Sequence, residues 1–315
     1  MIARELVAVR SLIVHNDKSG FGSDGIFEFE RFLVRTGEEC VLRMLPEKGS
    51  FEEAVRDAED FDLVVISGGD GTVSSVLYAL KGRDVPVCVF PTGTANLFFA
   101  NLGNAMEPRA LAHACHQGVT VSTDLGHMSW TNQADAHRDC GFALMAGMGF
   151  DAQLMKAALP NKRNMGEAAY FAAALANLHP DVTTFSIECD GRTFDRRGIS
   201  CIVANNAMMQ GDIQIVSGSR MDDGVLDLIV LETTEAAGLL EPIFIGLLDK
   251  SGKNLGRPHL EHFTGRHISV HSAIPMPLQI DGEVTNDTTS GFDVEVLPGA
   301  NRLIVDKTSP YAPKS

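Results

Sequence analysis

The stretch Leu63-Val64-Val65-Ile66-Ser67-Gly68-Gly69-Asp70-Gly71-Thr72 runs directly into Val73, Val76, Leu77 and Leu80. Its first five residues have the length and branching of a buried strand, and the apolar positions after Thr72 recur at helical spacing. The glycines Gly68, Gly69 and Gly71 therefore lie where a strand hands over to a helix. Glycine tolerates positive φ and close approach, and the unpaired N–H groups of a helix start favour anionic oxygens. Asp70 adds a carboxylate able to hold or orient a magnesium ion. The segment reads as a phosphate-binding turn for a nucleotide triphosphate, although a glycine-rich turn with a capping Asp would look the same in isolation.

A second turn shifts that balance. Pro91-Thr92-Gly93-Thr94-Ala95-Asn96 follows the apolar run 85–90 and precedes a helical pattern over 95–102. Two such turns at the same end of neighbouring parallel strands converge on one crevice, where open α/β sheets bind ligands.

A chain of 315 residues with 44% hydrophobic content can bury a substantial core, and its length favours two lobes. No apolar run approaches the roughly twenty residues of a membrane span, and the first ten residues carry charges where a signal peptide needs an unbroken apolar stretch. A cytosolic protein is expected. Six scattered cysteines without CxxC spacing predict reduced, mostly buried thiols. A formal net charge of -15 argues against nucleic acid as a partner and suits anionic lipid poorly. Because salt screens charges beyond about 10 Å, a local basic patch can still meet a membrane. Lys250, Lys253 and Arg257, or Lys162 and Arg163, are the candidates, with ordinary solvated loop charge as the commoner meaning of either set.

Strand-like runs over 6–14, 40–44, 63–67, 85–90 and 120–125 alternate with helical patterns that include 26–34 and 109–117, which predicts a parallel sheet covered by helices. Beyond Asp124 the texture changes. Strands over 183–188, 199–204, 225–231, 267–270 and 292–297, with hairpin chemistry at Asp190-Gly191, predict an antiparallel lobe. Helices are expected over 165–178 and 236–248, and a polar hairpin loop over 131–139. The expectation is an α/β protein: an N-terminal doubly wound parallel-sheet nucleotide lobe over 1–125, and a C-terminal, mostly antiparallel β-sandwich lobe over 126–315 whose last residues are free to return to the first.

Four ordered motifs carry a resemblance. His15-Asn16-Asp17-Lys18-Ser19-Gly20, the two glycine turns, Met221-Asp222-Asp223-Gly224-Val225-Leu226-Asp227 and Ile280-Asp281-Gly282-Glu283 together resemble the diacylglycerol kinase catalytic family, lipid kinases that share a fold with sphingosine kinases and, more distantly, NAD kinases. The resemblance implies that Asn16, Lys18, Ser19 and Gly20 form an ATP loop, with Thr94 and Asn96 in the second nucleotide turn. It implies that Glu283 is the general base accepting the lipid hydroxyl proton, best served by partial burial and a raised pKa, with Asp281 as its polar supporter. Asp124 looks like the family's acidic residue facing the cleft. Asp223, with the carbonyls of Arg220 and Val225, resembles a structural magnesium site.

Some positions depart from the family pattern. Asp17 replaces a proline, Ser74-Ser75 replaces Asn-Glu after the first glycine turn, Leu97-Phe98 replaces an acidic-aromatic pair, and Ser217 replaces a proline. The implied function is phosphoryl transfer from magnesium ATP to diacylglycerol or a related lipid, met by transient, peripheral contact with a membrane surface. A two-chain lipid implies an apolar channel in the second lobe. An NAD kinase and a non-catalytic lipid or nucleotide sensor are the alternatives, and a homodimer is left open.

Overall fold

Leu12, Ile13 and Val14 are fully buried in the first strand, Arg10–His15 (β1), and their branched side chains suit a pleated sheet covered on both faces. The computed structural model describes residues 10–19, 24–34, 39–45, 50–149, 180–209, 213–235, 238, 245–246 and 248–314. β1 pairs in parallel with Glu39–Met44 (β2) on one side and Leu63–Gly68 (β3) on the other. β3 pairs in parallel with Pro86–Pro91 (β4). All six residues of β3 are buried, and its first four, Leu63 to Ile66, are an unbroken apolar run rather than an alternation.

The helices Asp24–Leu33 (α1), Phe51–Ala54 (α2), Asp70–Ala79 (α3), Leu97–Leu102 (α4) and Pro108–Gln117 (α5) accompany this sheet. α1 turns Ile26, Phe29 and Leu33 inward at helical spacing, and the Phe29 ring lies 5.2 Å from that of Phe90 in β4. α2 is too short to leave a periodic signal, and the sequence did not announce it. The chain divides into two compact units, Met1–Thr123 with Gly299–Ser315, and Asp124–Pro298. In the first unit the returning segment pairs Arg302 and Leu303 in parallel with Pro86 and Val87, while the Asn301 amide donates to the Leu77 carbonyl and the Ser309 hydroxyl to that of Leu102.

The second unit is built from antiparallel strands. In chain order these are the continuation of Val119–Thr131 (β5), then His137–Phe142 (β6), Met145–Gly149 (β7), Thr183–Cys189 (β8), Arg192–Gly198 (β9) and Ser200–Ala204 (β10). Met208–Met209 (β11), Ile213–Gln214 (β12), Leu226–Leu231 (β13), Leu260–Gly265 (β14), His267–Ile280 (β15) and the larger part of Glu283–Val305 (β16) follow. β14, β13, β10, β7, β15 and β16 lie side by side, each antiparallel to its neighbour. β10 is buried on both faces: Cys201 and Val203 join a core with Met148, Phe185, Leu228 and Phe292, whereas Ile202 and Ala204 join a second with Val216 and Ile229.

The hairpin foreseen at Asp190-Gly191 joins β8 to β9 with φ of 48° and 78° at its two central residues, the left-handed pair that a primed two-residue turn requires. Other boundaries moved. The polar loop expected over 131–139 shrinks to 132–136, because Thr131 pairs with His137 and polar residues continue the ladder on a solvent-facing side. The strand expected over 267–270 extends to Ile280 through Pro275 and Pro277, accommodated by register shifts at His271/Met276 and Pro277/Gln279. That expected over 292–297 is the middle of β16. Residues 6–9, the helix expected over 165–178 and most of that expected over 236–248 lie outside the described residues, as do Lys162 and Arg163.

Gly126 stands directly opposite Phe142 in the β5–β6 ladder, and a Cβ at 126 would come within 2.0 Å of the ring. The aromatic side chain lies where the missing side chain would be. Gly126→Ala is therefore expected to lower unfolding free energy by roughly 1–3 kcal/mol, read from the midpoint of urea denaturation.

Candidate active site

In the first unit, three turns sit at the carboxyl ends of β1, β3 and β4. β3 ends at Gly68, Gly69 caps α3 in an extended conformation, and Asp70 opens the helix. The amides of Asp70, Gly71 and Thr72 fall in the first helical turn, where N–H groups lack a partner within the helix. The second turn comes so close that a Cβ on Gly93 would meet the Gly69 Cα at 2.5 Å, and one on Gly68 would strike the Thr72 Cβ at 2.5 Å. Glycine is demanded here by approach distance.

Side chains hold the three turns in register. The Asn16 amide donates to the Thr72 hydroxyl at 2.7 Å, and its own oxygen accepts from the Lys18 backbone. The Ser19 hydroxyl donates to the Asn16 carbonyl at 2.8 Å and lies 2.9 Å from that of Thr92, while the Thr92 amide donates to the Gly68 carbonyl. Asn96 adopts left-handed φ of 48°, and its side chain exchanges two 2.8 Å bonds with the Gly93 backbone, closing the loop. One Asp70 oxygen accepts from the Phe98 amide at 2.9 Å, so this carboxylate anchors the start of α4. Thr94 and Lys18 are exposed; Gly20 lies outside the described residues. Ser74 is buried, and the Ser75 hydroxyl bonds back to the Gly71 carbonyl within α3.

In the second unit, Ile280 pairs with Glu283 across a two-residue turn, Asp281 and Gly282 having φ of 48° and 85°. Asp281 is committed to the backbone: one oxygen accepts from the amides of Leu144 and Met145, the other from Ala143, at 2.8–2.9 Å. That fastens the hairpin tip to the bend before β7. Glu283 is exposed rather than partly buried, because it leaves the turn at the hairpin's first ladder position.

Asp124 is buried and accepts from the Gly224 amide at 2.7 Å. Arg220 grips Asp222 with two bonds of 2.6 and 2.8 Å, and Asp223 accepts from the Val225 amide at 3.1 Å. Burial raises the Asp223 carboxyl above its ordinary range against the Val225 bond, and the charges of Asp227, Asp124 and Asp222 push the same way. A carboxylate so crowded by like charge is stabilised by a nearby cation, but among the described residues no group of three or more His, Cys, Asp or Glu side chains is placed to hold a metal ion.

Two residues have roles that the sequence did not assign. Asn205, fully buried, donates to the carbonyls of both Asp124 and Ala143, joining the Asp124 turn to the bend that Asp281 clamps. Its signal was a polar pair, Asn205-Asn206, at the end of an apolar strand. His15, buried at the end of β1, places Nδ1 2.8 Å from the Ser67 hydroxyl. Burial depresses the His15 pKa below 6.5, against a smaller upward pull from Asp17. The folded protein thus binds fewer protons than the unfolded chain between the two pKa values. This contribution to stability is complete above pH 6.5 and declines as pH falls below it. Between pH 7.5 and 5.5 the urea midpoint of the wild type should fall further than that of His15→Asn.

The diacylglycerol kinase catalytic domain matches residues 10–128, and the YegS C-terminal NAD kinase beta sandwich-like domain matches residues 145–305. An uncharacterized protein of Synechocystis is 29% identical over 252 residues, 77% of this chain; the chain spans only 54% of that protein's length. A Bacillus subtilis protein named diacylglycerol kinase is 27% identical over 286 residues, 87% of this chain and 89% of its own. The crystal structure of a diacylglycerol kinase from Bacillus anthracis superposes with a TM-score of 0.69 at 18% identity, covering 95% of this chain and 97% of the other. The parallel α/β unit and the β-sandwich are thus those of the diacylglycerol kinase and NAD kinase fold, and this chain belongs to the diacylglycerol kinase catalytic-domain family.

Proposed function

We propose that this chain is an ATP-dependent lipid kinase that transfers the γ-phosphoryl group to the hydroxyl of diacylglycerol or a related lipid. The observation that carries the reading is the contact between the two glycine turns of the first unit, which presents backbone donors from two strand ends together. Such donors, fixed before the ligand arrives, stabilise phosphate charge without reorganisation. Asn16, Ser19 and Thr92 hold the first loop against them. Glu283 accepts the proton of the attacking hydroxyl. Its exposure leaves it accessible, and Asp281 fixes the hairpin that carries it.

Asp70 is the only acidic residue between 68 and 80, so with serines at 74 and 75 the charge of that turn rests on it alone. Its second carboxylate oxygen is the group we assign to magnesium beside the nucleotide, and Asp223 with the Arg220 and Val225 carbonyls to a structural magnesium. Bound there, magnesium neutralises phosphate charge at the first place and carboxylate crowding at the second. The Bacillus subtilis relative named diacylglycerol kinase favours diacylglycerol as acceptor. Among the described residues no helix is long and apolar enough to cross a membrane, and we assign the protein to the cytoplasmic side as a peripheral enzyme.

Incubation with labelled ATP and a panel of lipids, read by mass spectrometry, should yield a phosphorylated lipid. Phosphorylation of NAD in place of every lipid would make it an NAD kinase, and ATP binding without any product a sensor. Glu283→Gln should reduce kcat by at least about 10²-fold while ATP affinity changes little; undiminished turnover would remove Glu283 from the reaction. Magnesium without nucleotide should raise the Tm of the wild type and leave that of Asp223→Asn unmoved.

A further inference from the structure

Leu248 is 68% exposed, more than any other large apolar residue described, and Leu255 is 45% exposed. The two are brought together by Asp249. One oxygen of that buried carboxylate accepts from the amides of both Asn254 and Leu255, at 2.9 and 2.8 Å, and the other accepts from the Ser251 hydroxyl. These bonds, that from Leu255 foremost, hold its pKa down at about 2, so the turn stays fastened throughout the physiological range.

Arg257 completes the clamp from below. Its guanidinium donates to the carbonyls of Asp249 and Gln214 at 2.7 and 2.8 Å and packs 3.3 Å from where a Cβ on Gly252 would lie. The Gln214 amide in turn donates to the Lys250 carbonyl. The segment is therefore a small rigid platform whose polar interior is satisfied. What it sends outward is two leucines and the exposed Lys250 and Lys253.

The platform is also locally basic. The ten residues 248–257 hold Lys250, Lys253 and Arg257 against one acid, Asp249, in a chain whose formal charge is -15. Exposed leucines beside lysines on a preorganised loop fit a surface that offers acyl carbon under anionic headgroups. At physiological salt the remaining negative charge is screened beyond about 8 Å, so the platform meets such a surface on its own local terms.

We propose that the loop 248–257 docks the protein onto an anionic lipid bilayer, with Leu248 and Leu255 entering the headgroup boundary and Lys250 and Lys253 meeting lipid phosphates. This rests on the lipid-kinase reading only in giving the docking a purpose. Sedimentation of the full chain with vesicles tests it. The chain should sediment with phosphatidylglycerol-containing vesicles, less with pure phosphatidylcholine, and less at high salt.

Lys250→Gln/Lys253→Gln should weaken partitioning about 30-fold, at ~1 kcal/mol per basic residue near the surface. Leu248→Ser/Leu255→Ser should weaken it at least about tenfold. Lys307→Gln/Lys314→Gln, which changes net charge by the same amount elsewhere, should leave it unaltered. Turnover of a monomeric short-chain diacylglycerol should be the same in the Lys250→Gln/Lys253→Gln variant as in the wild type. Equal binding to neutral and anionic vesicles, or a lysine or leucine variant that sediments like the wild type, overturns the docking surface. Sedimentation that depends on these residues in a chain that phosphorylates no lipid would sustain the surface and overturn the enzyme assignment.

Discussion

The approach of Gly69 to Gly93 is the constraint on which the first unit depends. A side chain on Gly93 would place its first carbon 2.5 Å from the Gly69 Cα, well inside van der Waals contact, whereas one on Gly69 would meet the Gly93 Cα at a tight 3.2 Å. Their contact explains why the nearby polar side chains bond as they do: Asn96 folds its own loop, Asn16 and Ser19 stitch the first loop to the other two, and Asp70 fastens α4. Each partner is a backbone group or a short side chain, with few rotamers to lose on ordering. Turns held this way are in place before any ligand arrives.

The second unit uses the same economy with a carboxylate at its centre. Asp281 takes three amides from one bend, Asn205 ties that bend to Asp124, and Asp124 takes the Gly224 amide beside Asp223. A carboxylate accepting several amides is among the stronger polar contacts available to a protein. The chain thereby links the hairpin of Glu283 to the acidic turn through backbone groups, although the two are far apart in sequence. Neither Asp281 nor Asp124 is idle in the folded protein, and the chemistry assigned to Glu283 relies on them for placement.

Much of this was legible in the residues because it is local. Strand β3 with its glycine turn, the Asp190-Gly191 hairpin and the switch from parallel to antiparallel texture near Asp124 are set by branching, periodicity and turn chemistry within a few positions. What escaped depends on partners distant in the chain. His137 reads as loop until Thr131 pairs with it, and Pro275 and Pro277 argue against a strand until a bulge accepts them. Burial is a tertiary property as well: the hydrogen-bonding pattern of an Asp-Gly turn identifies a hairpin but does not tell whether the glutamate after it faces solvent. The roles of Asn205 and His15 were not legible, because the polar pair at Asn205-Asn206 and the motif that begins at His15 do not mark the distant carbonyls and the hydroxyl these side chains meet.

The return of Gly299–Ser315 to the first unit has a consequence for biosynthesis. Leu303 lies beside β4, and Asn301 and Ser309 satisfy carbonyls at Leu77 and Leu102, so the first unit lacks these partners until residues 299–315 have been synthesised. Translation of the intervening 175 residues, 124 through 298, takes about 9–35 s at 5–20 residues per second. Throughout that interval β4, an apolar strand, lacks its neighbour from the returning segment, the kind of edge on which nascent chains aggregate and chaperones act.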